Sequence, residues 1–370
     1  MVIGSFIILI FLVTFVFTLD LENSDGSQNA GTNSQREHSE LILNITPQSG
    51  TALCPVLEDL QDYTVDDMFD AAPISGGLGY GMTATDITGA ETLGINTFRV
   101  TPATPITGVF HLYYPDTPEN ADPVDIRYIV ILNEQQITAF GDETSTSQDV
   151  HLRPGERTNL DLHIPPLDPG VHDLIVLGLV VTPPANHGGV VALAYRATLI
   201  TDDDPTPSMQ TYVNLSPDSI KTDDETVFNV SLHTDRSQHV WVWPETHNQA
   251  TDDSLEYYIS VGYSESAARL REHGITPQPQ PLALLAFVEG EQVSIAQNEM
   301  VFYGTVTPNN LYSFVPASLN VAQYTDQVAL LVVRINYPRI PMCWLTGTKE
   351  SYQFDARVYA VQVGVEVIEP

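Results

Sequence analysis

The chain has 370 residues, room for two domains of about 150 residues each, and 43% of them are apolar, so it can bury real cores. Forty-seven acidic residues against 14 basic ones give a formal net charge of −33, and Lys221 and Lys349 are the only lysines. This balance excludes nucleic acid and anionic lipid head groups as partners, because both need a clustered cationic surface. A well-hydrated surface, salt adaptation or cation binding accounts for the acidity.

Residues 1–19 form an apolar run whose 18 helical residues would span about 27 Å, enough to cross a bilayer. No Lys or Arg precedes the run, and no small-x-small cleavage site follows Phe15. It therefore reads as an uncleaved signal anchor, with a cleaved signal peptide as the alternative. Residues 20–44 are rich in Asn, Ser, Gly, Gln and acid, the composition of a flexible polar stalk. The expectation is an extracytoplasmic body, tethered to the membrane by its N-terminal helix at the cell surface or secreted.

Residues 45–200 carry short apolar runs at Val124–Leu132, Leu160–Ile164, His172–Val181 and Val190–Ile200, each bounded by Pro or Gly. Such runs predict strands. Residues 201–210 open with Thr-Asp-Asp-Asp-Pro-Thr-Pro, combine charge with two prolines and read as a linker. Residues 211–370 repeat the style at Val227–Leu232, Glu256–Tyr263, Leu282–Val288, Gln327–Tyr337 and Tyr352–Val367. Strands this short with frequent turn signals favour sandwiches, since βαβ units would need long amphipathic helices between them. The predicted fold class is all-β: two tandem immunoglobulin-like or related β-sandwich domains behind an N-terminal hydrophobic helix.

The halves echo one another. Pro154-Gly155 and Leu174–Leu179 recur as Pro308-Asn309 and Val328–Val333, an offset of 154 residues, and the strand between them, Leu160–Ile164, recurs as Tyr312–Val315, slipped by three. Val109-Phe110 resembles Val227-Phe228 at an offset of only 118, so the second unit is expected to hold an insertion within residues 239–281. Insertions on a rigid sandwich are where binding concentrates.

That segment supplies the candidate ligand-binding aromatics. Alternation puts Trp241 and Trp243 on one face of a strand, with Tyr257, Tyr258 and Tyr263 further along the chain. Facing solvent, the indoles would make a platform for a glycan or a partner's side chains; facing inward, they would be core. Ser264–His273 reads as a short helix, capped by Ser264 and ended by Gly274. His233, His239 and His247 lie close in sequence but lack the tight spacing of a transition-metal site. Asp202, Asp203 and Asp204 are the best candidate ligands for calcium, the one cofactor considered, although no EF-hand pattern surrounds them. Cys54 and Cys343 flank the folded region, and a disulfide between them would stabilise it by up to roughly 5 kcal/mol.

Enzyme signatures are missing. His187-Gly188-Gly189 has no Gly-x-Ser-x-Gly elbow to go with it, and no phosphate loop or dinucleotide fingerprint occurs. The sequence therefore reads as a non-catalytic surface or secreted protein that binds or builds. A carbohydrate-binding module or glycosidase accessory is the first alternative, and a hydrolase of unknown type the second.

Overall fold

A computed structural model describes residues 40–43, 79–182, 193–201, 210–217, 230–233, 248–250, 254–263, 279–337 and 358–367, less short gaps at 95, 117–121, 142–144, 297–298, 309–310 and 325–326. Its regular structure is strand throughout, apart from one 3-10 turn at Ala84–Asp86. The described chain is all-β.

The first half holds β1 (Glu40–Leu43), β2 (Gly79–Gly81), β3 (Glu91–Gly94), β4 (Thr97–Arg99), β5 (Ile106–Tyr113), β6 (Val124–Leu132), β7 (Gln135–Ile137), β8 (Ser147–Leu152), β9 (Arg157–Ile164), β10 (Val171–Thr182) and β11 (Leu193–Ile200). A seven-stranded sheet runs β3-β4-β11-β10-β6-β7, with β8 also paired to β6; β2, β5 and β9 form a three-stranded sheet.

The second half adds β12 (Gln210–Asn214), β13 (Val230–His233), β14 (Asn248–Ala250), β15 (Ser254–Val261), β16 (Gln280–Val288), β17 (Glu291–Val293), β18 (Phe302–Val306), β19 (Ser313–Asn320), β20 (Gln327–Asn336) and β21 (Val358–Val367). An eight-stranded sheet runs β1-β12-β18-β16-β20-β21-β14, with β17 on β16; β13, β15 and β19 form the second three-stranded sheet.

These sheets stack in four layers. Phe110, Leu112, Leu160, Tyr128, Leu174 and Val176 join the first three-stranded sheet to the seven-stranded one. Leu232, Tyr257, Ile259, Leu284, Leu330 and Val332 do the same for the second pair. A third cluster lies between the two large sheets: Ile129, Ile131, Ile175, Leu177 and Leu179 meet Leu285, Phe287, Leu331, Val333 and Ile335. Strands β6, β10, β16 and β20 are therefore buried on both faces. That explains why their sequences are almost continuously apolar instead of alternating. Residues His38–Pro370 form one compact unit.

Strand pairing makes the internal repeat explicit. Val130 pairs with Ile137 and Leu174 with Leu132; 156 residues on, Ala286 pairs with Val293 and Leu330 with Val288. The third cluster obeys the same offset: Ile129, Ile131, Ile175, Leu177 and Leu179 correspond to Leu285, Phe287, Leu331, Val333 and Ile335. Each half thus presents the same face to the other. Both β6–β7 and β16–β17 turn through two residues of positive φ, Asn133 (50°) with Glu134 (62°) and Glu289 (51°) with Gly290 (84°), the conformation a two-residue hairpin needs to match strand twist.

Pairing also revises the alignment drawn from sequence. Phe110 opposite Leu160 on β5–β9 matches Ile259 opposite Val315 on β15–β19. The counterpart of β5 is therefore β15, which lies inside the segment 239–281, and Val227-Phe228 is not the equivalent of Val109-Phe110. Proline-bounded short runs resemble one another closely enough by eye to hide this; only hydrogen-bonding partners separate them.

Candidate functional site

Among the described residues, a cluster of titratable groups lies at the seam between the large sheets. Glu134, on the left-handed turn after β6, is only 3% exposed. Its Oε1 accepts a hydrogen bond from the hydroxyl of Tyr337, just past β20, and Tyr303 on β18 also bonds it. Tyr212 on β12 completes the nest, edge-on to Tyr303 and Tyr337 at ring separations of 5.9 and 6.4 Å. Burial, with the nearby Asp173 carboxylate, pushes the Glu134 carboxyl up to about 8, against the opposing pull of Arg196 and Tyr303. The same burial, with Glu134 adding to it, raises the Tyr212 and Tyr303 phenols.

Beside the nest, Arg196 on β11 grips Asp173 on β10 with two 2.7 Å bonds, a bidentate geometry that only a guanidinium gives. Arg196 Nη1 reaches across the seam to the Asn336 carbonyl at 2.8 Å, and its guanidinium carbon lies 5.9 Å from the Tyr337 ring centre. Asn133 ties the turn down. Its amide N–H donates to the Asp173 carbonyl at 2.9 Å, and its side-chain oxygen accepts from the Asp173 N–H at 3.1 Å. His172 Nε2 donates to the Asp168 carbonyl, which leaves Nδ1 to accept from Asn133 Nδ2 at 3.0 Å.

The two hairpins then clasp one another. The Gln136 N–H donates to Gln292 Oε1 and the Gln292 N–H to Gln136 Oε1, both at 2.7 Å. Gln136 Nε2 donates to the Gly290 carbonyl at 2.6 Å and Gln292 Nε2 to the Glu134 carbonyl at 3.0 Å. Residues 136 and 292 are repeat equivalents, so this is a reciprocal, near-two-fold contact within one chain. Around it, Arg127 holds Asp149 bidentately and bonds the Glu289 carbonyl at 2.8 Å. Gln362 donates to the Val180 carbonyl at 3.1 Å, adding another bond across the seam.

This arrangement ties the two large sheets together. Glu134 and Asp173 are both buried under the seam, at 3% and 5% exposure. None of Glu134, Asp173, Arg196, Gln136 or Gln292 stood out in the sequence. The only local trace was a two-residue gap, Asn133-Glu134, between two strand-like runs.

Two smaller polar clusters sit on the outward faces of the three-stranded sheets. Ser231 and Ser260 hydroxyls lie 2.6 Å apart, and His233 Nε2 is 3.2 and 3.0 Å from them; all three residues are buried. On the other sheet, buried His111 lies 3.2 Å from an Asp86 carboxylate oxygen and 2.8 Å from Asn159 Oδ1. Arg334, fully buried on β20, bonds Asn336 Oδ1, the Gly262 carbonyl and Gln280 Oε1, and burial pulls it down to about 10. Among the described residues, no three His, Cys, Asp or Glu side chains converge as metal ligands.

Of the expected site residues, Tyr257 is a core ring, 1% exposed. It is no part of a surface platform, because alternation along β15 turns it inward and half-buried Tyr258 outward. Tyr263 packs half-buried against the second core. Trp241, Trp243, Asp202, Asp203, Asp204, Cys54, Cys343, the segment Ser264–His273 and the apolar run 1–19 lie outside the described residues. No helix among the described residues is long and apolar enough to cross a membrane.

No family model matches the sequence, and no curated protein matches it. Among solved structures, the chain is similar to red sea bream transglutaminase, at 10% identity and TM-score 0.20, over 79% of this chain and 31% of that one. It is also similar to collagen adhesin from S. aureus (6% identity, TM-score 0.21, 80% of this chain and 94% of that one). A third is E. coli alpha-2-macroglobulin (9% identity, TM-score 0.23, 79% and 17%). The chain thus spans under a third of the transglutaminase and of the macroglobulin. Overlays this loose carry no argument, and the fold rests on the strand pairing.

Proposed function

We propose that this chain is a non-catalytic surface or secreted protein, two tandem immunoglobulin-like sandwiches joined into one stiff body. Residues 1–19 tether it to the membrane or direct its export, and residues 20–39 hold it off the surface; the expected stalk is shorter than 20–44, because Glu40–Leu43 pairs with β12 as strand β1. One observation supports this reading: the polar groups Glu134, Asp173 and Arg196 lie at the seam between repeat-equivalent faces, with Glu134 and Asp173 only 3% and 5% exposed. A body built this way presents its loops at fixed spacing, which suits display better than turnover.

Contact with a glycan or a surface protein is assigned to the segment around Trp241 and Trp243, and calcium at Asp202–Asp204 would stiffen the connection between halves. Stacking is worth about 1 kcal/mol per ring beyond area burial, so Trp241→Ala with Trp243→Ala should abolish weak binding. A glycan array and a cell-surface pull-down, run on wild type and the double variant at matched stability, test this. A ligand held equally by both proteins removes the platform, and turnover of any arrayed glycan removes the non-catalytic reading.

A further inference from the structure

We propose that the outer edge of β8 is a docking site for residues 61–65 of the same chain, which add to it in parallel as a further strand. The two repeats differ at this edge. In the second half, β18 pairs with β16 on one side and, in parallel, with β12 on the other. Its counterpart in the first half is β8: Asp125 opposite His151 matches Pro281 opposite Thr305, and Ile126 opposite Val150 matches Leu282 opposite Gly304. Among the described residues, β8 pairs with β6 alone. The Thr305 carbonyl accepts the Leu215 N–H at 3.0 Å, so the matching backbone groups of His151 point to the open side.

Chain order names the occupant. β12 precedes β13, and Tyr212 stands 18 residues before Val230. Val230 pairs with Val261 as Tyr80 pairs with Leu112, which makes Tyr80 its counterpart. Seventeen residues before Tyr80 stands Tyr63, and Gln61-Asp62-Tyr63 there matches Gln210-Thr211-Tyr212. Residues 61–65 lie outside the described residues, in the stretch between β1 and β2. From 65 to the start of β2 there are 13 intervening residues, against 15 between β12 and β13, so the same reach serves both halves.

A second feature fits the same occupant. Tyr212 packs edge-on to Tyr337, and 156 residues before Tyr337 stands Val181. Val181 is 41% exposed, one of two large apolar side chains that the described residues leave exposed. A tyrosine in the place of Tyr212 would cover it. With Tyr63 in that place, Thr64 faces Val150 and Val65 faces His151, as Val213 faces Gly304 and Asn214 faces Thr305.

Hydrogen exchange measured by NMR on the full chain reads the edge. The His151 amide should exchange at least about a hundredfold more slowly than an unstructured amide, at any protein concentration. Thr64→Pro removes an N–H from the pairing side, and should return His151 to nearly unprotected exchange. Leu177, inside the sheet between β6 and β11, should keep its protection. Val65→Cys combined with His151→Cys should form a disulfide within one chain on mild oxidation, located by peptide mass mapping, which keeps the test decisive if the proline variant misfolds. Free exchange of His151 in the wild type overturns the proposal. So does protection that survives Thr64→Pro, or a disulfide found only between chains, which would give the edge to a second copy.

Discussion

The clasp of Gln136 and Gln292 gives the sharpest test of how the halves are joined. Gln136→Ala strips an acceptor from the Gln292 N–H and a donor from the Gly290 carbonyl; Gln292→Ala does the same to the Gln136 N–H and the Glu134 carbonyl. Each change removes those two bonds and a longer one, from Gln136 Nε2 to the Thr146 carbonyl at 3.3 Å or from Gln292 Nε2 to the Met300 carbonyl at 3.4 Å, and at about 0.5–1 kcal/mol for each of the two shorter bonds where water can partly replace it, each should cost about 1–2 kcal/mol. The two changes are not independent, because each side chain is positioned by the hairpin that the other one anchors. Removing the first loosens the site of the second. The double variant should therefore lose about 0.5–1.5 kcal/mol less than the sum of the single losses.

Urea unfolding of the four proteins of the cycle measures this, with a constant slope confirming that midpoint shifts report stability. Gln135→Ala, exposed on the same hairpin, serves as the control and should be near neutral. Losses that add to within about 0.3 kcal/mol would refute the reciprocal clasp. The halves would then be joined by their apolar faces alone.

Two further substitutions probe the packing behind the seam. Gly178→Ala would place a Cβ 2.8 Å from Tyr128 Cε1 and 3.1 Å from Ile126 Cγ2, both side chains being buried, so unfolding should show a loss of about 1–3 kcal/mol. Asp173→Asn removes the carboxylate that Arg196 grips, with both side chains at most 12% exposed, and thermal and urea unfolding should show a loss of about 3–5 kcal/mol. A loss under about 1 kcal/mol would mean that water reaches Arg196 at the seam edge.

The sequence by itself determined the local structure. Val124–Leu132 is β6 to the residue, and His172–Val181 and Gln327–Tyr337 became strands within one residue of their ends, because β-branched content and flanking Pro or Gly act between near neighbours. It also carried the sign of double burial: β16, most of β10 and β20, and the second half of β6 do not alternate, which is what a strand covered on both faces looks like.

What covers the second face was decided only in the tertiary structure. Ile131 and Phe287 stand 156 positions apart, and no local rule relates them until the two large sheets are stacked. The site lies on that side of the divide as well. In sequence Glu134 is one acid among 47, and Gln136 is an ordinary polar residue. Glu134 becomes a perturbed acid because the β6–β7 turn forces a positive φ that drives its carboxyl into phenols supplied by β18 and the end of β20. Desolvation, the largest cause of its shift, is a property of the assembled seam and not of any residue along the chain.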